Sequence, residues 1–210
     1  MFKKLLLVIL VAVAAFLGYA STLSDAMHVS RSATIAASPA VVHDLVNDLH
    51  KWPSWSPWEK LDPAMKHSYE GPGAGMGAAS SWVGNSKAGE GTMTITASKP
   101  AELVKFRLDF KKPFAATNDC EFTFKPEGDK TAVTWTMTGK KNLMFKAIGL
   151  IMDCEKMCGD DFERGLGNLA TVAAAVPAAP VAAPQPVAVP LPAPAPVAAP
   201  APAPAPEPVK

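Results

Sequence analysis

I-M-D-C-E-K-M-C-G-D-D-F-E-R-G-L-G-N-L-A-T-V-A, residues 151–173, repeats apolar side chains at intervals of three and four. Ile151, Cys154, Cys158, Phe162, Leu166, Leu169 and Ala173 form one stripe, and Asp153, Glu155, Lys156, Asp161, Glu163, Arg164 and Asn168 fill the opposite side. That period predicts an amphipathic helix over 151–173. One helix cannot bury such a face alone, so its partner has to be sought upstream.

Upstream lie short segments with period two. Met65–Tyr69, Ala78–Val83, Gly91–Ser98, Glu102–Phe110, Asp119–Lys125 and Thr131–Lys140 are bounded by Gly, Pro, Asn or Asp and read as six strands. Met93 and Ile95, then Val104, Phe106, Leu108 and Phe110, then Cys120, Phe122 and Phe124, then Val133, Trp135 and Met137 share one face. Threonines and charged residues take the other, as in a sheet with one buried side. Met27–Ala36 reads as a further, first strand, and E-G-D-K at 127–130 as a hairpin turn. Between the first strand and the six, Ser38 and Pro39 are placed to start a short helix with Val42, Leu45, Val46 and Leu49 on one face.

The ends of the chain differ from this middle. Lys3 and Lys4 precede an aliphatic run, Leu5–Ala20, that reaches spanning length if extended through Leu23. It is expected to be an uncleaved membrane anchor over 1–24; the alternative is a signal segment cleaved after the small residues Gly18 and Ala20. The flanking lysines place the rest outside the inner membrane, facing the periplasm or exterior, or secreted if the segment is cleaved. Residues 176–210 contain 13 prolines alternating with Ala and Val. Such a tail cannot form a core and is expected to be disordered or polyproline-like, roughly 100 Å at about 3.1 Å per residue. It would serve as a stalk, as a docking strip for a proline-binding partner, or as nothing more than a tolerated tail. The domain between them is taken as 27–175.

Twenty Lys plus Arg against nineteen Asp plus Glu leave no field to attract a polyanion, which excludes nucleic acid as an expected partner. Three cysteines, at 120, 154 and 158, lack C-x-x-C spacing. They read as small buried hydrophobes, with a bridge from Cys120 to Cys154 or Cys158 as the alternative in an oxidising compartment.

The element order and several motifs carry a resemblance. W-P-S-W-S-P-W at 52–58, Y-E-G-P-G-A-G-M-G at 69–77, W-V-G-N at 82–85, G-E-G-T-M at 89–93, K-P-F at 112–114 and G-D-D-F-E-R-G-L at 159–166 resemble the START-like superfamily. Within it the chain is most similar to the polyketide cyclase/dehydrase-like, SRPBCC group, over about 27–173. The resemblance implies an α+β helix-grip fold, a curved antiparallel sheet of about seven strands around a long C-terminal helix. It also implies a hydrophobic cavity between the two that binds a lipid, sterol or polyketide-like molecule.

Candidate chemistry is sparse. Trp52, Trp55 and Trp58 stand among prolines and read either as a lid over the cavity mouth or as a plug of ordinary core. Met65, His67 and Tyr69 share a parity, so an inward Met65 brings an imidazole and a phenol into an apolar chamber; the alternative is an edge strand with both in solvent. Gly71, Gly73, Gly75 and Gly77 join two strands and read as a hairpin that moves to admit ligand, not a phosphate cradle. His43 and His50 with Asp44 and Asp48 do not make a metal site at that spacing. No cofactor and no catalytic residue is expected, because the inward sets on four strands carry no carboxylate, lysine or arginine. The sequence therefore favours a membrane-anchored binding domain for a small apolar or amphiphilic ligand, held by Trp52, Trp55, Trp58, His67, Tyr69, Met93, Phe106, Trp135 and Phe162. A polyketide cyclase or dehydratase, and a non-enzymatic envelope interaction module with a packed cavity, are the alternatives.

Overall fold

A computed structural model of the protein describes residues 1–176. The first element, α1, spans Phe2–Thr22. Seven antiparallel strands follow, β1 (Ala26–Ile35), β2 (Lys66–Glu70), β3 (Ala79–Val83), β4 (Glu90–Lys99), β5 (Leu103–Lys112), β6 (Ala116–Glu127) and β7 (Lys130–Lys140). They form one sheet in the order β1-β7-β6-β5-β4-β3-β2. Helix α2 (Pro39–Asn47) lies between β1 and β2, and α3 (Leu143–Gly149) and α4 (Cys154–Ala175) close the described chain. Strand limits fall within three residues of those read from alternation. The Pro/Ala-rich tail lies outside the described residues beyond Val176.

The expected helix-grip arrangement is what forms. The apolar face of the sheet, Val104, Phe106, Phe122, Phe124, Val133 and Trp135 among others, is buried with Phe162, Leu166, Leu169 and Ala173 of α4 and Val42, Leu45 and Val46 of α2 in one core. Strand alternation supplies one apolar side to the sheet, and the stripe on α4 fits onto it because both must leave water. Small residues let α4 approach closely. A Cβ on Gly165 would meet the Trp135 ring at 2.8 Å and Pro57 at 3.1 Å, and one on Gly159 would collide with the Arg31 guanidinium. Arg31 instead crosses α4 there and pairs with Glu163 at 2.6 Å.

Two details depart from the sequence reading. The final helix begins at Cys154, not Ile151: the Asp153 carboxylate accepts the Lys156 N–H at 2.8 Å and caps it. Ile151 is 79% exposed in the turn before it. Helix α3 was not expected; seven residues, capped by Asn142 accepting from Phe145 N–H, are too few to show a period.

Candidate functional site

The sheet and α4 do not meet everywhere. Between them, towards β2–β5 and the N-terminal half of α4, is a cavity of about 390 Å³. That volume lies within the range of small-molecule sites. Its walls are mostly apolar, with Leu49, Trp52, Trp58, Met93, Leu108, Phe110, Trp135, Met137 and Phe162 prominent.

Each of the nine candidate residues has a definite place. Trp52, Trp58, His67, Tyr69, Met93, Trp135 and Phe162 line the cavity, whereas Trp55 and Phe106 are packed away from it at 1% exposure each. The three clustered tryptophans divide accordingly. Helix α2 leaves its last carbonyls without helical partners. The Trp55 indole donates to Leu45 O at 3.1 Å and the Trp52 indole to Val46 O at 2.8 Å. These two rings, 4.5 Å apart, cap α2 as much as they fill space. Trp58 is different: half-buried, it stands edge-on to Trp135 and Phe162 and donates to the Asp161 carboxylate at 3.2 Å. Trp135 lies flat on Phe162 with ring centroids 4.0 Å apart, and its indole N–H, beside the Cys120 sulfur, has no hydrogen-bond partner among the described residues.

One polar part of the wall sits at the β2 edge, and Lys87, Lys112 and Asp161 supply charge elsewhere. His67 Nε2 and Glu59 Oε1 are 3.0 Å apart, with both side chains largely shielded from water. Tyr69 stacks on His50 at 4.0 Å and on His67 at 6.3 Å. Burial, then the charges of Glu59 and Asp48, push the Tyr69 phenol above its usual value, so it remains an O–H donor. The strand is an edge strand, yet Met65, His67 and Tyr69 all contribute to the wall.

Sequence reasoning missed several contributors, Glu59, Asp161, Trp82 and Cys158 among them. Glu59 lies in the short 3₁₀ turn Glu59–Leu61, where no period operates. Asp161, assigned to the outer face of α4, is three residues after Cys158 and four before Gly165 and so flanks the buried stripe; it pairs with Arg164 and Trp58 at the cavity rim. Strand faces free of carboxylates therefore do not make a cavity free of them, because a loop and a helix supply two. Trp82, which is not among the nine candidates, borders the space with its N–H on Ala88 O at 3.1 Å. Cys158 borders it too.

All three cysteines are free thiols, so the alternative of a bridge from Cys120 to α4 is not realised. Burial raises the Cys120 thiol well above its usual value and pushes Cys158 up to about 12, with the Asp161 charge adding and Arg31 opposing. Both stay protonated, apolar and poorly nucleophilic. The glycine-rich connection between β2 and β3 is held by Gly75 N–H on Asn47 O at 3.1 Å and Gly77 N–H on Ile95 O at 2.9 Å. His43 is buried against Phe124, and His50 hydrogen-bonds with Asp48.

A seven-stranded sheet closed on a long C-terminal helix, with an apolar chamber between them, defines the helix-grip class. A family model described as polyketide cyclase / dehydrase and lipid transport matches residues 26–174, and the chain belongs to that family. Among solved structures, the Zhui aromatase/cyclase from a Streptomyces species is similar at 14% identity, over 71% of this chain and 94% of that one, with a TM-score of 0.54. A protein from Thermus thermophilus is similar at 17% identity, over 71% and 100%, with a TM-score of 0.52. The Aha1 dimer from Colwellia psychrerythraea gives 14%, 70% and 95%, with 0.51. At these identities the likeness is one of fold. No curated protein matches the chain.

Proposed function

We propose that residues 27–175 form a binding domain that holds one small apolar or amphiphilic molecule, a lipid or polyketide-like compound, between the sheet and α4. The observation that carries this reading is the cavity itself, about 390 Å³ with a mostly apolar wall and a few hydrogen-bonding side chains, Glu59, His67, Tyr69, Lys112 and Asp161 among them. Apolar surface removed from water yields about 25 cal/mol per Å². The His67–Glu59 pair and the Tyr69 hydroxyl then orient the polar end of the ligand. Trp58, half-buried at the rim on its bond to Asp161, is the residue best placed to move with the ligand. Helix α1 would hold the domain at a membrane: its 21 residues span about 31 Å at about 1.5 Å per residue, enough for a bilayer core of about 30 Å. A signal sequence passes the same test of length and apolarity. Lys3 and Lys4 favour an inner-membrane anchor with the domain on the outer side.

Native mass spectrometry of the protein purified from membranes tests this. The expected result is a discrete adduct that disappears on denaturation; a clean apoprotein mass after incubation with membrane lipid extract would refute it and favour the interaction module.

A second reading, a cyclase or dehydratase, is supported by one observation: an imidazole and a carboxylate 3.0 Å apart in the cavity wall, a pair able to pass a proton. Under that reading His67→Gln abolishes turnover of a polyketide-like substrate and leaves its affinity within about twofold. Under the binding reading there is no turnover to lose.

A further inference from the structure

We propose that the elbow joining α3 to α4 seats in the surface of an anionic bilayer beside α1, and that the groove behind it is the route by which lipid passes between bilayer and cavity. The proposal rests on the membrane-held binding domain described above. Four observations converge on it.

The first is exposure. Leu143, Met144, Ile151, Met152 and Met157 are 47 to 79% exposed within fifteen residues of chain, with Phe114 of the neighbouring loop at 42% and in edge contact with Phe145. So many exposed apolar side chains in so short a stretch mark a surface that meets something apolar.

Position is the second. Lys141 N–H donates to Asp25 O at 2.6 Å and Lys140 is paired with Ala26, so α3 leaves the sheet at the corner where α1 joins it. Helix α3 also packs against α1. What surrounds the end of α1 therefore reaches α3, and the elbow follows one short helix further on.

Charge is the third. Residues 140–157 carry Lys140, Lys141, Lys146 and Lys156 against Asp153 and Glu155. Lys140 and Lys146 are in no ion pair among the described residues. An apolar tip edged with free lysines suits a surface of acyl chains and anionic headgroups.

The fourth is continuity. A groove of about 910 Å³ lies behind the elbow, walled by Phe114, Phe145 and Leu150–Met152. It shares Lys87, Phe110, Lys112, Pro113, Met137 and Cys158 with the cavity. An acyl chain entering at the elbow would run along Phe114, Phe145, Phe110 and Met137 towards Trp135 and Phe162, with Lys87 and Lys112 beside it at the junction.

The test uses the full chain in vesicles of phosphatidylcholine mixed with phosphatidylglycerol. A nitroxide is attached at Ile151→Cys in a Cys154→Ser background, and for comparison at Asp129→Cys on the β6–β7 turn. The Ile151 position should collide with dissolved oxygen more than with a water-soluble nickel chelate, and the Asp129 position should do the reverse. An Ile151 label as aqueous as the Asp129 label would overturn the proposal. A second arm uses the double variant Ile151→Glu, Met152→Glu, whose exposed positions leave the core untouched. Passage of fluorescent phosphatidylglycerol from vesicles into the protein should slow about tenfold, while the adduct retained in detergent keeps its mass; an unchanged rate would also overturn it. An adduct with an aqueous label defeats the elbow and spares the binding reading, and a buried label without any adduct does the opposite for the cavity.

Discussion

The space between sheet and α4 has two halves built from the same alternating strands. In one, Trp55, Phe106, Phe122, Leu166 and Leu169 are each at most 1% exposed and interlock. In the other, Met93, Leu108, Phe110 and Met137, on the same strand faces, look into open volume. What differs is the cover. Helix α2 and its two capping tryptophans press onto the first half, while over the second α4 offers Cys158, Asp161 and the Phe162 ring, and α3 contributes no wall residue. Inward hydrophobicity thus fixes where the core lies, but what is laid over it fixes whether it fills.

The sharpest way to break this comparison is to truncate one tryptophan in each half. Trp55→Ala should cost about 3–5 kcal/mol of stability, since it opens a void and strips Leu45 of its donor. Trp58→Ala should cost no more than about half of that and weaken ligand binding instead. Urea unfolding measures both, and equal losses would mean that the halves are not distinct.

A pH titration sharpens the same contrast. His43 belongs to the packed half, and burial holds its imidazole below the ordinary value, with the Asp44 charge opposing more weakly. As pH falls through about 6.5 the unfolded chain takes up a proton that the folded chain resists. Stability should therefore drop below that pH and level off once the lowered folded value is passed. His43→Gln should flatten this part of the profile; an unchanged slope would put its origin elsewhere.

The smallest effect is expected at the boundary between the halves. Trp135 keeps its ring contacts in Trp135→Phe only in part, but its unpartnered N–H is no loss, so stability should change by less than about 2 kcal/mol. A larger loss would reveal an indole partner that matters.

The fold was legible because period two and period 3.6 are local signals. Val133, Trp135 and Met137 announce their face from neighbouring residues alone, and Phe162, Leu166 and Leu169 do the same on α4. The site was legible where it borrows those signals, as at Met93 and Phe162, where parity extends one strand further, as at His67 and Tyr69, and where aromatics cluster among prolines, as at Trp52 and Trp58. Glu59 and Asp161 were not, because a 3₁₀ turn has no face to count and the flank of a helical stripe is ambiguous by about one residue. The division of labour among Trp52, Trp55 and Trp58 depends on which carbonyls of α2 are left open, which only the assembled turn reveals. Ile151 misled for the opposite reason: its spacing continues the stripe, while the Asp153 cap ends the helix before reaching it.

The most direct test of the central claim is to fill the open half. Leu108→Trp places an indole in the cavity from a wall position outside the packed half, and native mass spectrometry then compares the variant with the unmodified protein while thermal unfolding checks the fold. Loss of the ligand adduct with the melting temperature held or raised is the predicted result; an adduct retained at full occupancy in a folded variant would show that the ligand lies elsewhere.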